Sequence, residues 1–257
     1  MVKKYRNVVL KIGSALLNED NHDVKDFIDN ICQQIKTAMD SGVKFTIVTS
    51  GAINEGQQIL GVNKRPKQLE SLQAMAAIGQ QSLMRRYEHS FKELDCFTAQ
   101  VLLTHDDMNN PNRFLNAKAT LGKILELEIV PIINENDVVA TEEIRFGDND
   151  TLAGMVTNLI EADLMIILTN QKGYYDKNPD RFPNAKLIKK CDIKTLDKID
   201  FDINDKSDEG TGGFKTKLNA VKMVTTNNTT SIIASGYEKD TIKKILSNKQ
   251  VGTTFYI

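Results

Sequence analysis

A chain of 257 residues, of which 40% are hydrophobic and 26% charged, has the composition of a soluble globular protein that can bury a sizeable core. Its 33 basic and 34 acidic residues leave a formal net charge of −1, so we expect no nucleic acid as a partner. No apolar run approaches the roughly 20 residues that span a bilayer, so we expect no membrane partner either.

Short apolar runs rich in β-branched residues alternate with segments of helical period along the whole chain. We predict strands at residues 7–12, 44–50, 96–103, 129–134, 164–169 and 231–235. Strands that are apolar on both faces and alternate with helices form mainly parallel sheets covered on both sides. The sequence therefore predicts one α/β domain over residues 1–257, with the more polar stretch 176–214 as a small excursion containing short strands.

Two helices are predicted from local signals. Between Leu69 and Phe91, apolar residues recur every three or four positions and form one apolar face. A second helix is expected to begin at Pro111, because proline is favoured at the first helical position and Asn110 before it is a suitable N-cap.

Cysteine and histidine are scarce in this chain. The three cysteines form no C-x-x-C pair, so we expect neither structural disulfides nor a zinc site, and a cytoplasmic location. Only three histidines are present, which leaves little material for a histidine-based triad. We expect His105, the one nearest the candidate site residues, to be structural.

Polar residues gather at the predicted strand ends, where ligands bind in parallel α/β sheets. Lys11 lies near the end of the first strand and is followed by Gly13 and Ser14, so an ammonium group and backbone N–H groups could meet phosphate oxygens. A lysine that extends to water before an ordinary turn explains the same residues. Ser50 and Gly51 repeat the pattern after the second strand.

The segment EGTGGFKTKLNAVK, residues 209–222, places three glycines within four residues before lysines and a helical pattern. This is typical of a loop that holds phosphates. It does not match the P-loop pattern G-x-x-x-x-G-K-[ST], because Lys215 follows Phe214 rather than glycine. A mobile surface loop remains the alternative at this point.

The stretch PIINENDVVATEEIRFGDNDTLAG, residues 131–154, is rich in amides and carboxylates. Asp148 stands at an expected N-cap, with Asn149 and Asp150 in the first turn of a helix, and capping alone could explain these three. Capping does not explain Asn134 and Asp137, which follow a separate strand. The convergence of both groups indicates a binding site, and carboxylates there could also hold Mg²⁺ beside substrate phosphates.

Lysines, glycine-rich turns and a bank of carboxylates are the residue types that phosphoryl transfer requires. Lys11 and Lys217 would supply the cations. An acceptor that is itself a carboxylate, with a pKa of about 4.3, is ionised at neutral pH and needs no general base. Such an acceptor fits a site without histidine.

Several segments resemble the glutamate 5-kinases of the amino acid kinase family, in order from residue 8 to about residue 254. They are VVLKIGSALL, IVTSGAI, QAMAAIGQ, LLTHDDM, RFLNAKATL, VPIINENDVVATEEIRFGDND, LTNQKGYYDKNPD and GTGGFKTKL. The resemblance implies a three-layer αβα sandwich with a mainly parallel central sheet. It also implies ATP-dependent phosphorylation of the γ-carboxylate of L-glutamate to L-glutamyl 5-phosphate, the first step of proline biosynthesis.

The resemblance implies catalytic roles at matching positions. Lys11 and Lys217 would stabilise the transferring phosphoryl group, and Asp150 would hold both lysines in place. Gly13 and Gly51 would offer backbone N–H groups to phosphate oxygens. Mg²⁺ would be bound mainly by the ATP phosphates, so no metal ligand is assigned.

The resemblance also implies two sets of binding residues. L-Glutamate would be bound by Ser50, Asp137 and Asn149, with Asn134 close by. The residues expected to contact ATP are Lys11, Gly13, Gly51, Thr169, Asn170, Thr211, Gly212, Gly213, Phe214, Lys215, Thr216 and Lys217.

The sequence departs from the family pattern at three places. Asn170 stands where many members have aspartate, and Phe214 where methionine is frequent. Many bacterial members continue into a C-terminal PUA domain, and the chain ends at Ile257, so we expect a short form without it. The resemblance implies a homo-oligomer, dimer or tetramer. Feedback inhibition by L-proline is a hypothesis, since proline resembles a cyclised glutamate.

Two alternatives accompany this prediction. A sibling kinase would act on N-acetylglutamate, aspartate, carbamate or a nucleoside monophosphate. Asp137 argues against N-acetylglutamate, because an acylated nitrogen carries no charge for it to pair with. A non-catalytic sensor of nucleotides or amino acids could share the scaffold, but Lys11, Lys217 and Asp150 are all retained.

Overall fold

The β-branched runs form the strands of one sheet in a computed structural model, which describes residues 5–18, 23–140, 149–198 and 213–257. The strands are β1 Asn7–Ile12, β2 Lys44–Val48, β3 Thr98–Leu103, β4 Val130–Glu135, β5 Leu164–Thr169, β6 Lys190–Asp192, β7 Thr230–Ser235 and β8 Thr253–Tyr256.

Helices connect these strands. They are α1 Val24–Met39, α2 Ala52–Leu60, α3 Leu69–Lys92, α4 His105–Asn109, α5 Pro111–Glu126, α6 Asp150–Leu159, α7 Phe214–Thr225 and α8 Thr241–Leu246, with 3₁₀ helices at Ser14–Leu17 and Ile193–Lys198. Within the described ranges, every helix is too short or too polar to cross a membrane.

The sheet has the strand order β3-β4-β2-β1-β5-β7-β8-β6. The first six strands of this order are mutually parallel, whereas β8 runs antiparallel to β7 and β6 runs parallel to β8. The central strands β1, β2, β4 and β5 therefore end at the same edge of the sheet. This edge is where the polar residues at the predicted strand ends meet.

The two faces of the sheet carry separate hydrophobic cores. On β1, Leu10 packs in a cluster with residues of α1, α2, α3 and α8, whereas its neighbour Val9 packs in a second cluster with residues of α5, α6 and α7. This alternation is the two-residue period of a strand that is buried on both faces. The predicted three-layer αβα sandwich with a mainly parallel sheet is confirmed.

The N-cap predictions have different outcomes. The Asn110 side chain accepts hydrogen bonds from the N–H groups of Asn112 and Arg113, at 3.1 and 3.2 Å, so the predicted start of α5 is confirmed. The prediction that Asp148 is an N-cap is wrong by one residue, and Asp148 itself lies outside the described residues. Helix α6 begins at Asp150, and Asn149 occupies the N-cap position without a capping hydrogen bond from its side chain.

Helices α2 and α3 pack at unusually close range through glycine. A Cβ atom on Gly79 would lie 1.9 Å from the carbonyl oxygen of Ala52, and one on Gly56 would lie 2.0 Å from that of Met75. Only glycine permits this approach, which brings α3 against the beginning of α2 and the strand ends beside it.

Candidate active site

Two lysines from distant parts of the chain meet one aspartate above the sheet. Lys11 lies in β1, Asp150 begins α6, and Lys217 lies in the first turn of α7. The Lys11 Nζ atom is 2.5 Å from Oδ1 of Asp150, and the Lys217 Nζ atom is 3.1 Å from Oδ2. Lys11 is only 2% exposed, which excludes the alternative that it extends to water.

Burial makes the pairing of these three groups important. Asp150 is fully buried, and burying a charge is costly unless it is paired, so contact with the two ammonium groups compensates its carboxylate. Ammonium groups that are fixed in this way can face the oxygens of a phosphate group. The N-terminus of α6 adds to the positive potential around Asp150.

Thr216 connects the glycine-rich segment to the same carboxylate. Its hydroxyl donates to Oδ2 of Asp150 at 3.0 Å, and its Oγ1 also lies within hydrogen-bonding distance of the Gly213 carbonyl oxygen, at 2.9 Å. The described part of the predicted ATP loop therefore meets the lysine cluster. Thr211 and Gly212, which belong to the same prediction, lie outside the described residues.

The next residues of this loop have distinct positions. The ring of Phe214 stacks on that of Tyr174, with centroids 5.3 Å apart, and Lys215 is exposed. Tyr174 lies in the segment that follows β5. At the end of β5, the Thr169 hydroxyl donates to Oδ1 of Asn170 at 3.1 Å. The stacking therefore ties the start of α7 to the end of β5.

The two glycines predicted to face phosphate differ. The Gly13 N–H donates to the Leu168 carbonyl oxygen at 3.1 Å, because β1 and β5 are neighbours, so its contact with phosphate stays a prediction. Gly51 has φ +100° and ψ 0°, a left-handed conformation that favours glycine. It turns the chain into α2, and no described residue accepts a hydrogen bond from its N–H.

Predicted substrate residues from separate elements converge on a chain of amides. The Asn149 Nδ2 atom lies 2.5 Å from the Thr49 carbonyl oxygen and 2.5 Å from Oδ1 of Asn134. The Asn134 Nδ2 atom donates to Oε1 of Gln80 on α3 at 2.7 Å. Ser50, which directly follows Thr49, is buried, and no described residue forms a hydrogen bond with its hydroxyl. Such a hydroxyl suits a ligand.

Asp137 follows β4 and is held in an unusual electrostatic environment. Its pKa is raised to about 7, first because burial disfavours the charged form and second because Glu135 is nearby, while Arg65 partly opposes both. The pKa of Arg65 is lowered, mainly by burial. A cation bound at Asp137 would stabilise its ionised form, which suits this residue to an ammonium group.

The sequence analysis did not single out Gln80 or Glu135 at this site, whereas it expected a structural role for His105. The His105 Nδ1 atom lies 3.4 Å from Oε2 of the buried Glu135, consistent with that role. Gln80 lies within the QAMAAIGQ segment, but its residue type alone carries no functional signal. Within the described ranges, no group of three or more His, Cys, Asp or Glu side chains is arranged to hold a metal ion.

Comparison with known proteins agrees with this geometry. The sequence profile of the amino acid kinase family matches residues 6–235. The chain belongs to the amino acid kinase family. Its relatives include the glutamate 5-kinase of Hydrogenovibrio crunogenus, 43% identical over 252 residues, and that of Methylococcus capsulatus, 43% identical over 249 residues. These matches cover 98% and 96% of this chain and 67% of each relative, so the chain spans about two thirds of their length.

Two solved structures share the fold of this chain. The UMP kinase of Ureaplasma parvum is 18% identical with a TM-score of 0.65, and the match covers 99% of this chain and 100% of that one. The UMP kinase of Bacillus anthracis is 15% identical with a TM-score of 0.67, covering 99% and 97%. At this identity the likeness shows the fold and not the substrate.

Proposed function

We propose that this amino acid kinase transfers the γ-phosphoryl group of ATP to the γ-carboxylate of L-glutamate, which forms L-glutamyl 5-phosphate and supplies proline biosynthesis. The observation that carries the proposal is the buried cluster of Lys11, Asp150 and Lys217, adjoined by the amides of Asn134 and Asn149. The glutamate 5-kinase relatives at 43% identity support the choice of substrate.

The proposed step forms one bond and breaks one. A γ-carboxylate oxygen of glutamate attacks the γ-phosphorus of ATP, the bond from that phosphorus to the bridging oxygen breaks, and ADP leaves with the electron pair. Lys11 and Lys217 stabilise the charge on the transferring group, and Asp150 fixes the position of both ammonium groups. No proton is transferred, because the acceptor is already ionised at neutral pH.

The polar residues beyond the strands would bind the other end of glutamate. Asp137 pairs with the α-ammonium group, and Ser50, Asn134 and Asn149 supply hydrogen-bonding groups, of which the Ser50 hydroxyl has no partner among the described residues. N-Acetylglutamate lacks the positive charge that Asp137 requires. We therefore expect it to be a poor substrate.

ATP would lie against the ends of β1 and β5 and the start of α7. Lys11, Lys217 and Gly51 would face its phosphates, and Thr169 and Asn170 would contact the nucleoside. Mg²⁺ would enter with ATP, held mainly by phosphate oxygens. The remaining predicted contacts are Gly13, Thr211, Gly212, Gly213, Phe214, Lys215 and Thr216.

L-Proline, a homo-oligomeric state and a cytoplasmic location are further parts of the proposal. Proline carries the same α-carboxylate and a charged nitrogen, so it would compete at Asp137 and Asn149. A proline titration at fixed glutamate would then lower the rate, and an unchanged rate would exclude this competition.

The test is an assay with Mg-ATP and hydroxylamine, which traps acyl phosphates as hydroxamates. L-Glutamate, N-acetyl-L-glutamate and L-aspartate are compared as acceptors, and ADP release is measured separately with UMP. Hydroxamate from L-glutamate alone is the expected result. Signal from another acid, or ADP release with UMP only, would assign the same chemistry to a different acceptor. ATP binding without turnover on any acceptor would favour a sensor.

A further inference from the structure

The orientation of the amide chain at the site is fixed by two backbone groups. The Thr49 carbonyl can only accept a hydrogen bond, so the Asn149 atom 2.5 Å from it must be the NH₂ nitrogen. The Glu135 N–H can only donate, so the Asn134 atom 3.0 Å from it must be the carbonyl oxygen. These two constraints agree, because Asn149 Nδ2 also lies 2.5 Å from Oδ1 of Asn134.

The same constraints determine how Gln80 is oriented. Since Asn134 accepts through Oδ1, its Nδ2 donates to Gln80 at 2.7 Å, and Gln80 must present Oε1 to it. The Gln80 NH₂ group must then point away from Asn134. Its Nε2 atom is buried, and no described residue provides a hydrogen-bond acceptor for it. A buried donor without an acceptor is costly, so a ligand acceptor is expected there.

The position along the amide chain indicates which part of the substrate this donor meets. Asn149 adjoins Asp150 and the lysines, where the γ-carboxylate must react. Gln80 lies at the opposite end, beyond Asn134. Resting on the proposed function, we infer that the Gln80 side-chain NH₂ group donates a hydrogen bond to the α-carboxylate of L-glutamate and contributes to the selection of an amino acid with a free α-carboxylate.

The test uses Q80E, which keeps an oxygen for Asn134 but replaces the NH₂ donor with a carboxylate oxygen. The matched control is Q81E on the adjacent, exposed residue of α3. Acceptors are L-glutamate and its α-amide, L-isoglutamine, which retains the γ-carboxylate and therefore still gives a hydroxamate. Q80E should raise the glutamate KM by about 10- to 100-fold, as expected for a lost hydrogen bond to a charged group, with the ATP KM unchanged.

The decisive readout is the preference for glutamate over isoglutamine in kcat/KM. Q80E should lower this preference at least about tenfold, because its carboxylate repels the α-carboxylate and accepts from the α-amide. Q81E should leave it unchanged. Thermal melting checks folding, and if Q80E unfolds, Gln80→Ala tests the same preference without added charge. A preference equal to that of wild type in both Gln80 variants would overturn the inference.

Failure of the proposed function would look different. Wild type would then give no hydroxamate from glutamate, whatever the variants do. In that case calorimetric titration with glutamate decides the inference alone: weaker binding to Q80E than to wild type supports it. Equal binding to both, or no glutamate binding to wild type, overturns it.

Discussion

The glutamate KM should depend on pH through Asp137. Its pKa is raised to about 7 by burial and by Glu135, and the substrate ammonium group pairs with the ionised form. Protonated Asp137 must therefore lose its proton before glutamate binds. The apparent KM is the KM for fully ionised Asp137 multiplied by one plus the ratio of protonated to ionised Asp137. This factor is about 11 at pH 6 and about 1.1 at pH 8. A decrease of about tenfold from pH 6 to pH 8 is expected.

The assay measures hydroxamate formation at saturating Mg-ATP, with the glutamate KM determined at each pH and kcat as an internal reference. Asp137→Asn is the matched variant, because it keeps the shape of the side chain and removes the titration. Its glutamate KM should be higher than that of wild type at pH 8 and nearly constant from pH 6 to pH 8. A tenfold pH dependence that persists in Asp137→Asn would refute the reasoning.

Stability should change with pH in the opposite direction to affinity. The pKa of Asp137 rises from 3.8 to about 7 on folding, so the folded state binds this proton more tightly than the unfolded state. The stability that this provides is complete below pH 4 and is lost as the pH rises through 7. Without glutamate, Asp137→Asn should therefore melt at a higher temperature than wild type at pH 8. A lower melting temperature at pH 8 would contradict the raised pKa.

Further substitutions test the lysine cluster and the helix contact. Lys217→Ala should lower kcat by on the order of 100- to 1000-fold and change the glutamate KM far less, and an unchanged kcat would contradict its role in the transition state. Thr216→Val removes a hydrogen bond to Asp150 and should lower kcat by about tenfold, whereas wild-type turnover would show that this bond is dispensable. Gly79→Ala should lower the free energy of unfolding by at least about 2 kcal/mol, since its Cβ would lie 1.9 Å from a backbone oxygen of α2. Gly122→Ala in α5, which meets nothing within 4 Å, should instead raise it by about 0.5–1 kcal/mol, and urea unfolding that ranks the two variants otherwise would contradict the packing.

The sequence predicted the central strands because their apolar runs are long and buried on both faces. The bounds of β1 and β5 agree with the predicted ranges 7–12 and 164–169. Strand β8 was not predicted, because it has only four residues and its strand conformation depends on pairing with β7 and β6. Strand β6, of three residues, falls within the stretch expected to contain short strands.

The candidate site was predictable where residues follow strand ends and less so where partners depend on topology. Lys11 and Asn134 could be collected from the ends of predicted strands, and Asp150 from the first turn of a predicted helix. The order of strands in the sheet, which the sequence does not give, brings the Leu168 carbonyl to the Gly13 N–H. The orientation of Gln80 likewise depends on contacts between separate elements.

The central claim is that a γ-carboxylate oxygen of L-glutamate forms the new bond to phosphorus. L-Glutamate labelled with ¹⁸O in its γ-carboxylate tests this directly, because the acyl phosphate cyclises when its α-amine attacks the γ-carbon and expels phosphate with the bridging oxygen. Mass spectrometry of the released phosphate should find one ¹⁸O atom for each ADP formed. Phosphate without ¹⁸O would mean that water, and not glutamate, accepts the phosphoryl group, and would contradict the proposed reaction.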